Sequence, residues 1–158
     1  MKTDDFKKLA VVSVSDGAKL GYIDDLLFDT GQLQVAAFCL STEGQHAVIP
    51  IAAVQSVGAD AVLVPDGKVV RSLSAETALA ALPGLDRMKS LKVVDERGDL
   101  VGRVTDLDVD PANGKVLDVR THEGGVLGIG GKSATIAAAD VRSVGDEVMV
   151  VAAAARSA

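Results

Sequence analysis

The sequence predicts an all-β fold: two tandem copies of one small β-barrel joined by a short helix. Three observations carry this. The chain repeats itself. Val12, Gly17, Gly21, Asp25, Leu26 and Asp29 recur 81 residues on as Val93, Gly98, Gly102, Asp106, Leu107 and Asp110, six identities in 18 positions. Ile49, Ala52, Val54, Ser56, Val57, Gly58 and Val64 recur 87 residues on as Ile136, Ala139, Val141, Ser143, Val144, Gly145 and Val151, seven in 16. Chance gives about one identity per window at ordinary residue usage. Each copy also breaks into short alternating runs bounded by glycine turns, the pattern of small barrels. Finally, valine is the commonest residue, and its β-branched side chain suits a half-buried pleated surface.

The elements follow in order. Ser15-Asp16-Gly17 and Glu96-Arg97-Gly98-Asp99 are hairpin turns, with Gly supplying positive φ. Asp29-Thr30-Gly31 and Asp110-Pro111-Ala112-Asn113-Gly114 form a second pair, leading into strands near 33–40 and 115–121. In copy two Leu107 and Val109 point inward, and Asp106, Asp108 and Asp110 outward. Val104 shares the parity of the aspartates, so it points inward only if a bulge intervenes near Thr105. Copy one matches, with Leu26 and Phe28 inward and Asp25 and Asp29 outward. Val93, Val119 and Val141 complete the expected core of copy two; Val54, and Ile23 given the bulge, complete that of copy one. The repeat offset grows by six between the two blocks. Two of those residues are expected at Pro111-Ala112-Asn113 and the rest near the glycines 124–131. Between the copies, Ser74 is placed to cap a helix running to Leu82, where Pro83-Gly84 stops it. Leu79 and Leu82 share a face fit to dock on a barrel. The segments are therefore 1–70, a helical linker 71–88, and 89–158.

Composition excludes several functions. At 158 residues the chain holds two domains near the lower size limit for a stable core. With 48% hydrophobic and 24% charged residues it is not a disordered chain. Aromatics are 3%, with no Trp, which counts against base stacking. The net charge is −6 and the pI about 4.8. Residues 1–70 hold five Lys and Arg against nine Asp and Glu; residues 88–158 hold nine against eleven. Neither is the basic footprint that a nucleic-acid backbone requires. Cys39 is the single cysteine, so no disulfide or CxxC site exists. The N-terminus reads as no signal peptide, and the apolar run from Val148 to Ala155 is far short of the ~20 residues of a membrane helix. The expected location is the cytoplasm.

A family resemblance rests on three stretches. Gly102-Arg103-Val104-Thr105-Asp106-Leu107-Asp108-Val109-Asp110 followed by Gly114-Lys115-Val116 resembles the opening of the PRC-barrel domain. Gly21-Tyr22-Ile23-Asp24-Asp25-Leu26-Leu27-Phe28-Asp29 followed by Gly31-Gln32-Leu33 resembles it too. Gly125-Val126-Leu127-Gly128-Ile129-Gly130-Gly131-Lys132 is similar to the family's glycine-rich hairpin, which copy one replaces with Ser41-Thr42-Glu43-Gly44. Copy one keeps Ile49-Pro50 where the family usually has a proline; copy two has Ile136-Ala137. The resemblance implies about six strands per copy. It also implies a family that spans the photosynthetic reaction-centre H subunit, the ribosome maturation factor RimM and archaeal proteins implicated in cell division. None of these uses the barrel itself as a catalyst, so the fold transfers and the function does not.

No residue cluster has catalytic spacing, and the chain reads as no enzyme, with no cofactor and no metal. The Asp106, Asp108 and Asp110 row fails as an EF-hand, because Pro111 and Leu117 stand where Gly and Glu are needed; it reads as a solvated strand face. Asp24 and Asp25 are sequence neighbours on opposite faces, not an acid/base pair. His46 and His122 lie in corresponding hairpins and read as exposed, although a metal across the copies stays open. Cys39, between Phe38 and Leu40, reads as packing. Gly125 to Lys132 matches a phosphate loop in neither frame, and a strand follows it where that motif needs a helix.

The leading expectation is a non-enzymatic interaction or scaffold module for a protein partner or for self-association. A ribosome-maturation or RNA-associated role by analogy to RimM, and a small-ligand site between the barrels, are the alternatives. Tyr22 and Leu27 are expected to form an apolar contact surface on copy one. Their counterparts are Arg103 and Asp108, so the copies differ there.

Overall fold

The computed structural model describes residues 1–42, 45–124 and 131–153. Copy one opens with a turn of helix, α1 (Thr3–Phe6), then β1 (Ala10–Ser13), β2 (Lys19–Asp29), β3 (Gln34–Thr42), β4 (Gln45–Pro50), β5 (Ser56–Val57), β6 (Ala61–Val64) and β7 (Arg71–Ser72). Two short helices follow, α2 (Thr77–Ala80) and α3 (Leu85–Lys89). Copy two has β8 (Lys92–Asp95), β9 (Leu100–Val109), β10 (Val116–Glu123), β11 (Lys132–Ala137), β12 (Val141–Val144) and β13 (Val148–Val151). The strands form two sheets, ordered β5-β6-β1-β2-β3-β4-β7 and β11-β10-β9-β8-β13-β12. Neighbours are antiparallel except β1 with β6 and β8 with β13, which run parallel. Among the described residues no helix is long and apolar enough to cross a membrane.

The copies match pair by pair. Val11 faces Gly21 as Val93 faces Gly102, and Val57 faces Val62 as Val144 faces Met149. Val11, not Val12, is therefore the partner of Val93; the first hairpin is one residue longer than its counterpart. At Gly102, φ is +154°, and a Cβ there would lie 2.7 Å from the His122 carbonyl oxygen, so only glycine fits between the strands. The bulge is present in both copies. The ladder skips Thr105 on β9 and Asp24 on β2, which turns Val104 and Ile23 inward. Leu26, Phe28, Val93, Leu107, Val109 and Val119 are fully buried. Val54 and Val141 are only half-buried, because each follows a 3-10 turn at the margin of its sheet.

The turn at Pro111-Ala112-Asn113 holds no insertion. Tyr22 faces Ser41 as Arg103 faces His122, so the offset is still 81 there. All six extra residues lie between Glu123 and Lys132, which pair across the top of β10 and β11. Much of that glycine-rich segment, 125–130, lies outside the described residues.

The linker also departs from expectation. Ser74 caps nothing: it sits inside a 3-10 turn, Leu73–Ala75, with its Oγ 2.9 Å from Ser72 Oγ. The helix then runs only from Thr77 to Ala80, and α3 begins directly after Pro83-Gly84.

The two copies share one core, which runs without a break from Phe6 and Phe28 to Leu107 and Met149. The seam repeats its contacts on both sides. Val35 N–H donates to Gly114 O (2.8 Å) and Val116 N–H to Leu33 O (3.1 Å). Leu33 holds a left-handed φ of +51° at the position where copy two has Gly114. Phe28 N–H donates to Pro83 O (3.0 Å), and Val109 N–H to Met1 O (2.7 Å). Asp25 Oδ1 accepts from Leu85 N–H (3.0 Å) and Asp106 Oδ1 from Thr3 Oγ1 (2.7 Å). Asp108 takes the Met1 amine at 2.5 Å. The acidic face expected to be solvated is thus half occupied by the other copy's entry segment. This explains why Asp25 and Asp106 are identical in the repeat.

Candidate functional site

Tyr22 and Leu27 do not form one surface. Tyr22 is 53% exposed, and Lys19 Nζ donates to its hydroxyl (2.9 Å) and lies 4.7 Å from its ring centre. Leu27 does point outward from the sheet, yet it is only 6% exposed. It clusters with Ala37, Cys39 and Val48, and Leu73, Leu79 and Leu82 from the linker close over all four. The expected contact surface is an internal contact at Leu27. Parity gives which face a side chain leaves by, not what lies on top of it. Burial, with the nearby Asp25 and Asp24 carboxylates, pushes the Cys39 thiol up to about 12, so it is an inert packing group.

The same face of copy two carries opposite chemistry on the same backbone. Asp108, Asp118, Arg120 and Thr135 stand where copy one has Leu27, Ala37, Cys39 and Val48. Arg120 Nε lies 3.9 Å from Asp118 Oδ1. These two atoms and His122 Nε2 are shut from solvent, without a hydrogen bond among the described residues. His122 Nδ1 is 3.0 Å from Ser133 Oγ, and Arg103 Nη1 donates to Ser90 O (3.3 Å).

The two histidines are not equivalents. His46 faces Ser41 across β3 and β4, whereas His122 faces Ser133 across β10 and β11, so the pair has exchanged strands between copies. Among the described residues no three potential ligands gather to hold a metal. Among the described residues Asp95 is the one buried carboxylate, at 1% exposed, where copy one has Ser13. Its burial alone would raise its pKa. The backbone N–H groups of Asp99 and Arg97, with the Arg97 charge, outweigh this and hold it below the usual carboxylate range. It fastens the hairpin between β8 and β9.

A cleft of about 620 Å³ opens at the seam, between Ile51, Val54, Gln55 and Val57 of copy one and the Pro111-Ala112-Asn113 turn of copy two. Its size suits a small molecule. Its walls bear no ionisable group, so it offers shape and apolar contact, not acid/base chemistry.

Comparison with known proteins agrees with the repeat. The family model described as the PRC-barrel domain matches the chain twice, over residues 1–71 and again over 84–156. No curated protein matches it.

Proposed function

The chain belongs to the PRC-barrel domain family in two tandem copies, and from that premise we propose that it is a non-enzymatic interaction module. Its partner-reading surface is the outer face of copy two. One observation carries this: copy one covers that face with its own leucines, while copy two carries the partly exposed polar residues Asp108, Asp118, Arg120 and His122 there. The fold tolerates either chemistry; Asp108 serves the seam through the Met1 amine, and the partner-reading role is placed on the Arg120 and His122 end of the face. The free thiol of Cys39 fits a cytoplasmic location. The immobilised chain should retain a partner that rebinds as purified protein, and Arg120→Ala with His122→Ser should release it. Retention unchanged by that double variant overturns the assignment of the face. A purified chain that turns over a small substrate overturns the non-enzymatic reading.

The seam cleft supports a second reading, a binder of small uncharged ligands. Crosslinking of a photoreactive apolar probe to Val54 or Ala112 would favour it. An RNA or ribosome-associated role finds less support, since the chain is acidic and has one tyrosine and no tryptophan.

A further inference from the structure

The basic end of this copy-two face has a chemistry of its own. Lys92 on β8 stands directly opposite Arg103 on β9, and Arg103 directly opposite His122 on β10. Directly opposed residues share a face with their Cβ atoms about 5 Å apart, so the three form a row about 10 Å long. Ser133 adds a hydroxyl at its end, opposite His122. Among the described residues, no carboxylate lies within ion-pair distance of Lys92, Arg103 or His122. Like charges directly opposite one another destabilise a sheet. The fold does not need them: the equivalent row of copy one is Ala10, Tyr22 and Ser41. The directly opposed Lys92 and Arg103 charges, with no ion-pair partner among the described residues, are therefore a local feature set against a chain of net charge −6. An anion laid across them would neutralise the repulsion.

We propose that Lys92 and Arg103 bind the carboxylates of an acidic peptide segment, with His122, whose Nε2 is closed off from solvent, lining the end of the row. The proposal rests on the interaction reading above and gives the partner its chemistry. In an extended segment, acids two positions apart sit about 7 Å from each other on one side, which spans most of the row. Arg103 is the centre, because its planar fork pairs two carboxylate oxygens at once.

The probe is a fluorescein-labelled hexaglutamate peptide, followed by anisotropy with the full chain in about 50 mM NaCl. The overall negative charge of the protein repels this peptide, so saturable binding reports the row. The triple variant Lys92→Ala, Arg103→Tyr, His122→Ser installs the copy-one residues that the same backbone already carries. It should melt as the parent does and bind at least tenfold more weakly. Raising NaCl to about 200 mM should weaken the parent several-fold. Should the triple variant fold poorly, Arg103→Tyr alone should still weaken binding several-fold. Absence of saturable binding, or equal binding by the folded triple variant, overturns the proposal. Pyrophosphate binding in preference to the peptide, with the same dependence on Arg103, overturns it in favour of a phosphate site. If hexaglutamate fails while a partner is still captured through Arg120 and His122, this inference falls and the interaction reading stands. If no partner is captured at all, the interaction reading itself falls.

Discussion

Replacing Leu27 by Asp, the residue at the equivalent position of copy two, tests whether the linker is part of the fold. Leu27 is nearly fully buried beneath Leu73, Leu79 and Leu82. Burial of a leucine side chain is worth about 1.5–3 kcal/mol, and truncating buried leucines to alanine costs about 2–5 kcal/mol. The carboxylate adds a buried charge on the strand face that already carries Asp25. The cheapest escape is to lift the linker, which caps the loss at the linker's own docking energy. A loss of about 3–5 kcal/mol is expected. For a chain of this size each kcal/mol lowers Tm by about 2–4 °C, so the midpoint should fall by about 6–20 °C. Differential scanning calorimetry reads this directly. Leu27→Ala should fall by less, since it leaves a gap but no charge. Lifting the linker should also bare Cys39, so thiol labelling of the Asp variant should accelerate well below its melting temperature. A drop under about 2 °C without faster labelling would show that Leu27 is not held by the linker, and the covered-face argument would fail.

Other expectations follow from the same packing. Phe28→Ala should cost about 3–5 kcal/mol in urea unfolding, because Phe28 is fully buried in the shared core; a loss below about 1 kcal/mol would place it elsewhere. Cys39 in the native chain at pH 8 should react with a disulfide reagent about a thousandfold more slowly than in the unfolded chain, because its thiol is pushed up to about 12 from 9.0; reaction within tenfold of the unfolded rate would refute its burial. Asp95 titrates below its unfolded value, so the stability it contributes is full above about pH 4 and is lost as pH falls through its folded pKa. The Tm advantage of the parent over Asp95→Asn should therefore shrink on going from pH 6 to pH 3; an advantage that grows on acidification would refute the sign.

The repeat is legible because its identities fall where the backbone dictates the residue. Gly102 admits no Cβ, and Gly17 and Gly98 turn at φ of +70° and +86°. The bulge is legible too, since Val104 cannot otherwise reach the core beside Leu107. What the sequence conceals is how the copies meet. A repeat specifies each copy's strands twice and says nothing of the seam, so Asp25 and Asp106 read as solvated acids while they in fact bind the other copy's entry segment. The fate of Leu27 was signalled but needed three strands at once. Leu27, Ala37, Cys39 and Val48 all leave by the outer face, and four neighbouring apolar residues there imply a cover. Alternation along β2 alone shows one leucine out of place. The basic row is hidden for a related reason: Lys92, Arg103 and His122 are scattered along the chain, and only the register aligns them.

Position-by-position comparison of the copies separates two kinds of selection. Where they agree on a polar residue, at Asp25 and Asp106, the residue ties the seam together, and its charge carries no message about a ligand. Where they share a backbone and differ, the fold has been satisfied by both and cannot be what chose between them. In copy one the difference has a structural cause, since the linker must cross that face and an apolar surface holds it down. Copy two has no such segment over its face among the described residues. Mere release from the linker would leave small polar side chains in mixed order. Instead Asp106, Asp108 and Asp118 gather at one end, with Arg120 among them and seam contacts to Thr3 and Met1, and Lys92, Arg103 and His122 stand at the other with no carboxylate at ion-pair distance among the described residues. Segregation of charge on one face works against stability and in favour of a partner of matching polarity. That is why the functional reading is placed on copy two, and at its basic end.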